Sequence, residues 1–465
     1  MKQHLIPSVF LLFATTALPV AQEPARRPNL LVLLTDDQRW DSMGCAGNLR
    51  VDTPSLDVLA REGVRFRNAF VTTAICAASR ASILTGLYES AHGFTFGTAP
   101  LADVHVDASY PALLRAAGYR TGFVGKFGVN TTKGATARMF DSFRALSTPY
   151  LKPQPDGTVK HLTDLEADAA LAFLAGCSPD QPWCLSVSFN APHAEDGAKE
   201  QYFWPAAQDA AYADTTFPVP ATMDDAFFAK LPQFLRASES RTRFRWRFDE
   251  PDKYQRMVRG YHRMIRGVDA AVGRLRAELV QRGLADNTVV VFTSDNGYFL
   301  GERGFADKWY AYEPSIRVPL LVMDPRMPPL RCGATSDHVA LNVDLAPTLL
   351  ELASLPSPAT MQGQSLVPLL NGKAQPEWRS EFFYEHRFVH KAIPRSEGLR
   401  TGRFTYLRWI DRDPVVEELY DHQADCDQVH DLAGDPAFAE VLAELRARTD
   451  KRCRELSPAA AAARR

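Results

Sequence analysis

The sequence predicts an α/β fold: a large mixed, mostly parallel sheet sandwiched by helices, followed by a smaller α+β subdomain with antiparallel strands. Three observations predict it. Apolar runs at 29–35, 183–189 and 287–293 lack the alternation of a half-exposed strand and suit central strands buried on both faces. A long stretch from Asp252 to Arg282 places Met257, Tyr261, Met264, Ile265, Val268, Val272, Leu275 and Leu279 on one apolar stripe, as in a helix packed on such a sheet. Beyond Pro376 the style changes to short β-rich runs, 382–384 and 399–409, with Gly402 in a turn and a final helix near 436–454.

Taken in order, the chain opens with a secretory signal over residues 1–21. Lys2 and His4 precede an apolar stretch, and Ala17 and Ala21 offer small residues for cleavage. Pro7, Ser8, Thr15, Thr16 and Pro19 interrupt that stretch, so no stable membrane span is expected and the protein is expected to be periplasmic or secreted. The large domain is expected over 28–372 and the subdomain over 376–465. A formal charge of -2, with 46% hydrophobic and 23% charged residues, gives no global pull toward nucleic acid or a membrane surface.

The first apolar run ends in Asp36-Asp37. In open α/β sheets ligands sit beyond the carboxyl ends of the strands, and two adjacent carboxylates there repel unless a cation lies between them; a solvated turn is the plainer alternative. A helix stopping at Gly63 and a strand over 64–70 lead to Thr72–Gly86. There Cys76 stands at the start of a short helix with Arg80 one turn on, a setting that favours an anion at position 76. The helix 110–117 and the strand 120–125 deliver Lys126. A helix over 165–174 and the strand 183–189 deliver Asn190-Ala-Pro-His193. Residues 196–250, rich in aromatics and proline, read as an insertion walling the pocket; the basic run from Arg241 to Phe248 within it suits a solvated face, or a contact to sugar or anion. The strand 287–293 ends in Ser294-Asp295-Asn296-Gly297, repeating the layout of the first strand. Asp36, Asp37, Asp295 and Asn296 would make an all-oxygen site suited to Ca²⁺ or Mg²⁺ rather than Zn²⁺. A strand over 318–323 and a helix over 341–355 follow. Seven cysteines are present; with Cys76 set aside, Cys177 with Cys184 and Cys426 with Cys453 are candidate bridges, while Cys45 and Cys332 suit free, buried thiols.

The stretch Cys76, Ala78, Ser79, Arg80, Leu84, Thr85 and Gly86 resembles the signature of the type I sulfatases, with Ala78 where the common form has proline. The resemblance extends to Asp36-Asp37-Gln38, Gly125-Lys126, Asn190–His193, Ser294–Gly297, Asp307-Lys308 with Glu313 and 315–319, and Glu418–Asp421. It implies an alkaline-phosphatase-like fold and an exported enzyme that hydrolyses sulfate esters or sulfamates of carbohydrates, such as glycosaminoglycans or mucin-type glycans. It also implies a formylglycine formed from Cys76 by a maturation enzyme, with Ca²⁺ held by Asp36, Asp37, Asp295, Asn296 and the modified Cys76. Arg80 is then the residue holding formylglycine, Lys126 and Lys308 bind sulfate, and His193 lies near the leaving oxygen. Arg303, where relatives often carry histidine, and His386 are candidate substrate contacts. One departure stands out: the family's histidine two residues after the lysine is Gly128 here, with His92, His105 and His161 as candidate substitutes. Two other readings remain at this stage, a phosphodiester or phosphonate ester hydrolase of the same superfamily and a non-catalytic protein that binds sulfated glycans.

Overall fold

The computed structural model describes residues 26–373 and 375–456. The expected signal segment and the terminal tail, 459–465, lie outside the described residues. Eight strands form the main sheet, in the order Ala334–Ser336, Val64–Phe66, Leu320–Met323, Thr288–Ser294, Asn29–Thr35, Trp183–Ser188, Arg120–Gly125 and Ser142–Ala145. Leu320–Met323 runs against both its neighbours, and the remaining strands run parallel.

Asn29–Thr35 is buried at every residue. Leu31 and Leu33 enter one apolar layer with the Pro251–Gln281 helix, while Leu30, Val32 and Leu34 enter the layer on the opposite face. This is why the strand shows no alternation: both faces are covered. All eight residues of the apolar stripe on Pro251–Gln281 are buried.

The second sheet is antiparallel, ordered Glu381–His386, Ser396–Thr401, Phe404–Trp409 and Val416–Asp421, with the Ala439–Leu456 helix against it. It is fastened to the large sheet's loops. The Glu385 N–H donates to the Thr72 carbonyl at 3.0 Å, and the Tyr384 hydroxyl donates to the Trp309 carbonyl at 2.7 Å.

Several expectations change. The run 64–70 divides into Val64–Phe66 and Ala69–Phe70, and the helix expected over 341–355 is a 3-10 turn, Asn342–Asp344, leading into Leu345–Leu352. All seven cysteines are free thiols, so neither candidate bridge forms, and Cys332 is exposed rather than buried. Cys184 lies inside a central strand, whereas Cys177 follows the Leu162–Ala175 helix and accepts from an Arg120 guanidinium nitrogen. Among the described residues no helix is long and apolar enough to cross a membrane.

Candidate active site

Parallel pairing brings the polar strand ends to one edge. Thr35 lies opposite Ser294, so the residues that follow, Asp36 and Asp295, emerge side by side. Gly125 lies opposite Ser188, and Lys126 follows it with its N–H donating to the Ser188 carbonyl at 2.8 Å. Gly125 has φ +100°, and a Cβ there would sit 2.0 Å from that carbonyl oxygen, so only glycine permits this approach. The Cys76–Thr85 helix is buried along its whole length, and its first residue is 3% exposed.

The Cys76 Sγ lies 3.3 Å from Asp36 Oδ1. One donor atom each from Asp36, Asp37, Cys76 and Asp295 fall within 4.8 Å of one another, and Asp36, Cys76 and His193 form a second such group. Lys126 pairs with Asp36. Lys308 Nζ reaches both Asp37 oxygens at 2.7 Å. Arg80 donates from Nε to Asp295 at 2.8 Å and from Nη1 to the Ser188 hydroxyl at 2.5 Å and to the Lys126 carbonyl. The His193 Nδ1–H donates to the Ala194 carbonyl at 2.6 Å, which leaves Nε2 facing Asp37 at 3.7 Å.

The charges are arranged unequally. Burial lifts the carboxyls of Asp37 and Asp295 to about 6, with the Asp36 charge adding to the rise. Burial also opposes ionisation of Asp36, but Lys126 and its other cationic neighbours hold it far below the usual carboxylate range. Burial, then the adjoining Asp36, push the Cys76 thiol well above its ordinary value. The expectation of an anion at this cysteine is therefore corrected: the Arg80 guanidinium is turned to Asp295 and Ser188, and the unmodified residue stays a thiol. Burial and the ammonium of Lys308 lower His193 to about 4, so it is neutral near pH 7.

These residues fit a hard dication. Three carboxylates converge, and Asn296, which donates through Nδ2 to Asp37 at 2.6 Å, leaves its buried Oδ1 without a partner. Oxygen donors of this kind suit Ca²⁺ or Mg²⁺.

Other candidates lie elsewhere. Arg303 is 2% exposed; its guanidinium sits 3.9 Å over the Tyr312 ring and donates from Nη2 to the Gln428 carbonyl, and the residue lines a cavity with Arg39, Glu302 and Arg317 whose lining does not include Cys76. His386 is fully buried in the second sheet with neither ring nitrogen partnered, which gives a substrate no access to it. His92 meets Ser82 and accepts from the Phe94 N–H. His161 caps the Leu162–Ala175 helix, and His105 sits on the Asp103–Asp107 helix. Gly128 has φ +68°, and a Cβ on it would lie 2.8 Å from Arg80 Cδ, so the backbone there packs against Arg80.

Two arginines were not legible as site residues. The Glu239–Arg247 helix turns Arg243 and Arg247 inward to Asp196 and Asp307, while Arg245 and Trp246 stay exposed, so only part of the basic run is a solvated face. The one available signal was Asp307 beside Lys308, a buried acid in need of a partner.

Comparison with known proteins accords with this geometry. Residues 28–355 match the sulfatase family, and residues 301–455 match the family described as N-sulphoglucosamine sulphohydrolase, C-terminal. The chain is 29% identical over 513 residues to the N-acetylglucosamine-6-O-sulfatase of Bacteroides thetaiotaomicron, covering 95% of this chain and 88% of that protein. It is 30% identical over 440 residues to the N-acetylglucosamine-6-sulfatase of Homo sapiens, covering 86% and 74%. A solved structure described as a complex with its substrate D-glucosamine-2-N,6-O-disulfate superposes with a TM-score of 0.81 at 27% identity, covering 93% of this chain and 98% of the other. The phosphonate monoester hydrolase of Silicibacter pomeroyi shares the fold, with a TM-score of 0.78 at 24% identity and coverage of 93% and 96%. With the sulfatase match spanning most of its length and the Cys76 stretch at the centre of the converging strand ends, the chain belongs to the type I sulfatases of the alkaline phosphatase superfamily, hydrolases of sulfuric esters.

Proposed function

We propose that this protein is an exported sulfatase that removes sulfate from carbohydrates, with amino sugars of glycosaminoglycan or mucin-type glycans as the substrate class. The observation that carries the reading is one buried cluster joining Cys76, three carboxylates and the ammonium groups of Lys126 and Lys308. The names of the full-length relatives, which act on N-acetylglucosamine sulfates, support the sugar. Asp36, Asp37, Asp295 and Asn296 would hold Ca²⁺, which supplies positive charge where an anionic ester must be accommodated. Formylglycine formed from Cys76 would supply a hydrate nucleophile with its own exit, which a serine lacks.

The chain's own groups perform the rest. Lys126 and Lys308 bind sulfate oxygens and offset their repulsion toward a nucleophile. Arg80, fixed by Asp295 and Ser188, holds residue 76 in place. Burial, and then the ammonium charges, keep His193 neutral; a bound anion would offset the charges and favour a proton on Nε2 for the departing oxygen, and Lys308 is the second group able to deliver one. Cys76→Ala should abolish sulfate release from 4-nitrophenyl sulfate and from glucosamine 6-sulfate while leaving the circular dichroism spectrum intact. Turnover by that variant, or an unmodified thiol at Cys76 in active enzyme by peptide mass spectrometry, would refute the mechanism. Faster hydrolysis of aryl phosphate diesters than of any sulfate would favour the phosphoester reading instead.

A further inference from the structure

Arg247 is fully buried, and its guanidinium spans two loops. Nη1 donates to Asp307 Oδ2 at 2.6 Å, Nη2 pairs with Asp196, and Nε donates to Gln201 Oε1 at 2.8 Å. Asp196 lies three residues beyond His193, and Asp307 adjoins Lys308, whose Nζ is 3.3 Å from Asp307 Oδ1. Gln201 closes the turn that begins at Glu195, whose N–H donates to the Gln201 carbonyl at 2.6 Å. One turn earlier on the same helix, Arg243 meets the same two aspartates at 2.8 and 3.0 Å. A planar fork with both ends engaged fixes distance as well as charge, which a flexible lysine cannot do.

We propose that Arg247, seconded by Arg243, is a positioning residue that sets the spacing between the His193 loop and the Lys308 loop. It thereby aligns the group serving the leaving oxygen with the group holding the sulfate. The inference rests on the roles given above to His193 and Lys308. Its consequence is specific: poor leaving groups, which need a well-placed proton, depend on Arg247 more than good ones do.

The test is a leaving-group series on the holoenzyme, from 4-nitrophenyl sulfate to a sugar 6-sulfate, with Arg247→Lys. Its kcat/KM should fall at least tenfold more for the sugar sulfate than for the nitrophenyl ester, steepening the dependence on leaving-group pKa. Loss of folded protein alone would lower both equally, and such parallel loss overturns the proposal. If Arg247→Lys fails to fold, the pair Arg247→Gln with Asp196→Asn removes both charges together and should show the same steepening; an unchanged slope in it overturns the proposal as well. A wild-type enzyme that releases sulfate from no member of the series refutes the sulfatase reading itself, whereas a working enzyme with an unchanged slope refutes only the role of Arg247.

Discussion

Chelating the cation should destabilise the fold in a pH-dependent way. Three carboxylate oxygens lie within 4.8 Å of one another in a buried site. Two unit charges at that separation repel by about 3 kcal/mol at an effective dielectric of about 20. The rise of Asp37 and Asp295 from 3.8 to about 6, driven first by burial and then by the Asp36 charge, disfavours their ionised forms in the same direction. Both carboxyls have folded values above their unfolded ones, so these two groups bind more protons in the metal-free native state than in the unfolded chain, and it is their own contribution to stability that carries the sign. That contribution falls as pH rises through the interval from about 4 to 6. A dication removes that penalty. With calcium at about 100 times its dissociation constant the gain is about 2.7 kcal/mol, or roughly 3–4 °C in Tm for a fold of this size, at about 2.1 cal/mol/K of unfolding entropy per residue. Differential scanning fluorimetry in EDTA and in calcium, at pH 5 and pH 7.5, measures this. The shift should be larger at pH 7.5, where protons no longer compete, and smaller in Asn296→Ala. Equal Tm values in EDTA and millimolar calcium at pH 7.5 would refute the reasoning.

Further outcomes are expected. Lys308→Met should lower kcat/KM for aryl sulfates by about 10²–10³, the scale seen when one charge-stabilising donor is lost, measured by steady-state kinetics. Gly128→Ala should destabilise, because the position has positive φ and the added Cβ meets Arg80 Cδ at 2.8 Å; a cost of about 1–3 kcal/mol is expected in urea titrations. Glu89 is lifted to about 8, first by burial and then by Glu385, so its folded value exceeds its unfolded one and stability drains away as pH rises from about 4.5 to 8. Glu89→Gln should flatten that part of the Tm-against-pH curve, and an unchanged slope would show that Glu89 is not its source.

The sequence made the sheet and its polar edge readable because both depend on local pattern. An unalternating run such as 29–35 reports a strand covered on both faces, and the register that sets Thr35 opposite Ser294 follows from stacking such runs in parallel. The partners of Arg243 and Arg247 were beyond reach for the opposite reason. On a helix as polar as Glu239–Arg247, an arginine aimed at a buried aspartate looks the same as one aimed at water, and Asp307 is 60 residues away. The Cys177–Cys184 bridge failed because closeness in sequence does not place two cysteines face to face when one is fixed inside a strand. Arg303 stands where relatives often carry histidine, but its packing against Tyr312, like the burial of His386 in the second sheet, depends on residues distant in the sequence.

The burial of Cys76 also bears on timing. The thiol is 3% exposed, and the Thr72 carbonyl just before it is held by Glu385, a residue more than three hundred positions later in the chain. A catalyst that converted Cys76 and had to grip the stretch around it would be excluded once those late residues dock. The window for such a conversion would then open when Gly86 is available and shut when the second sheet forms. Slowing translation between those points should raise the modified fraction, and a chain allowed to fold first should remain a thiol.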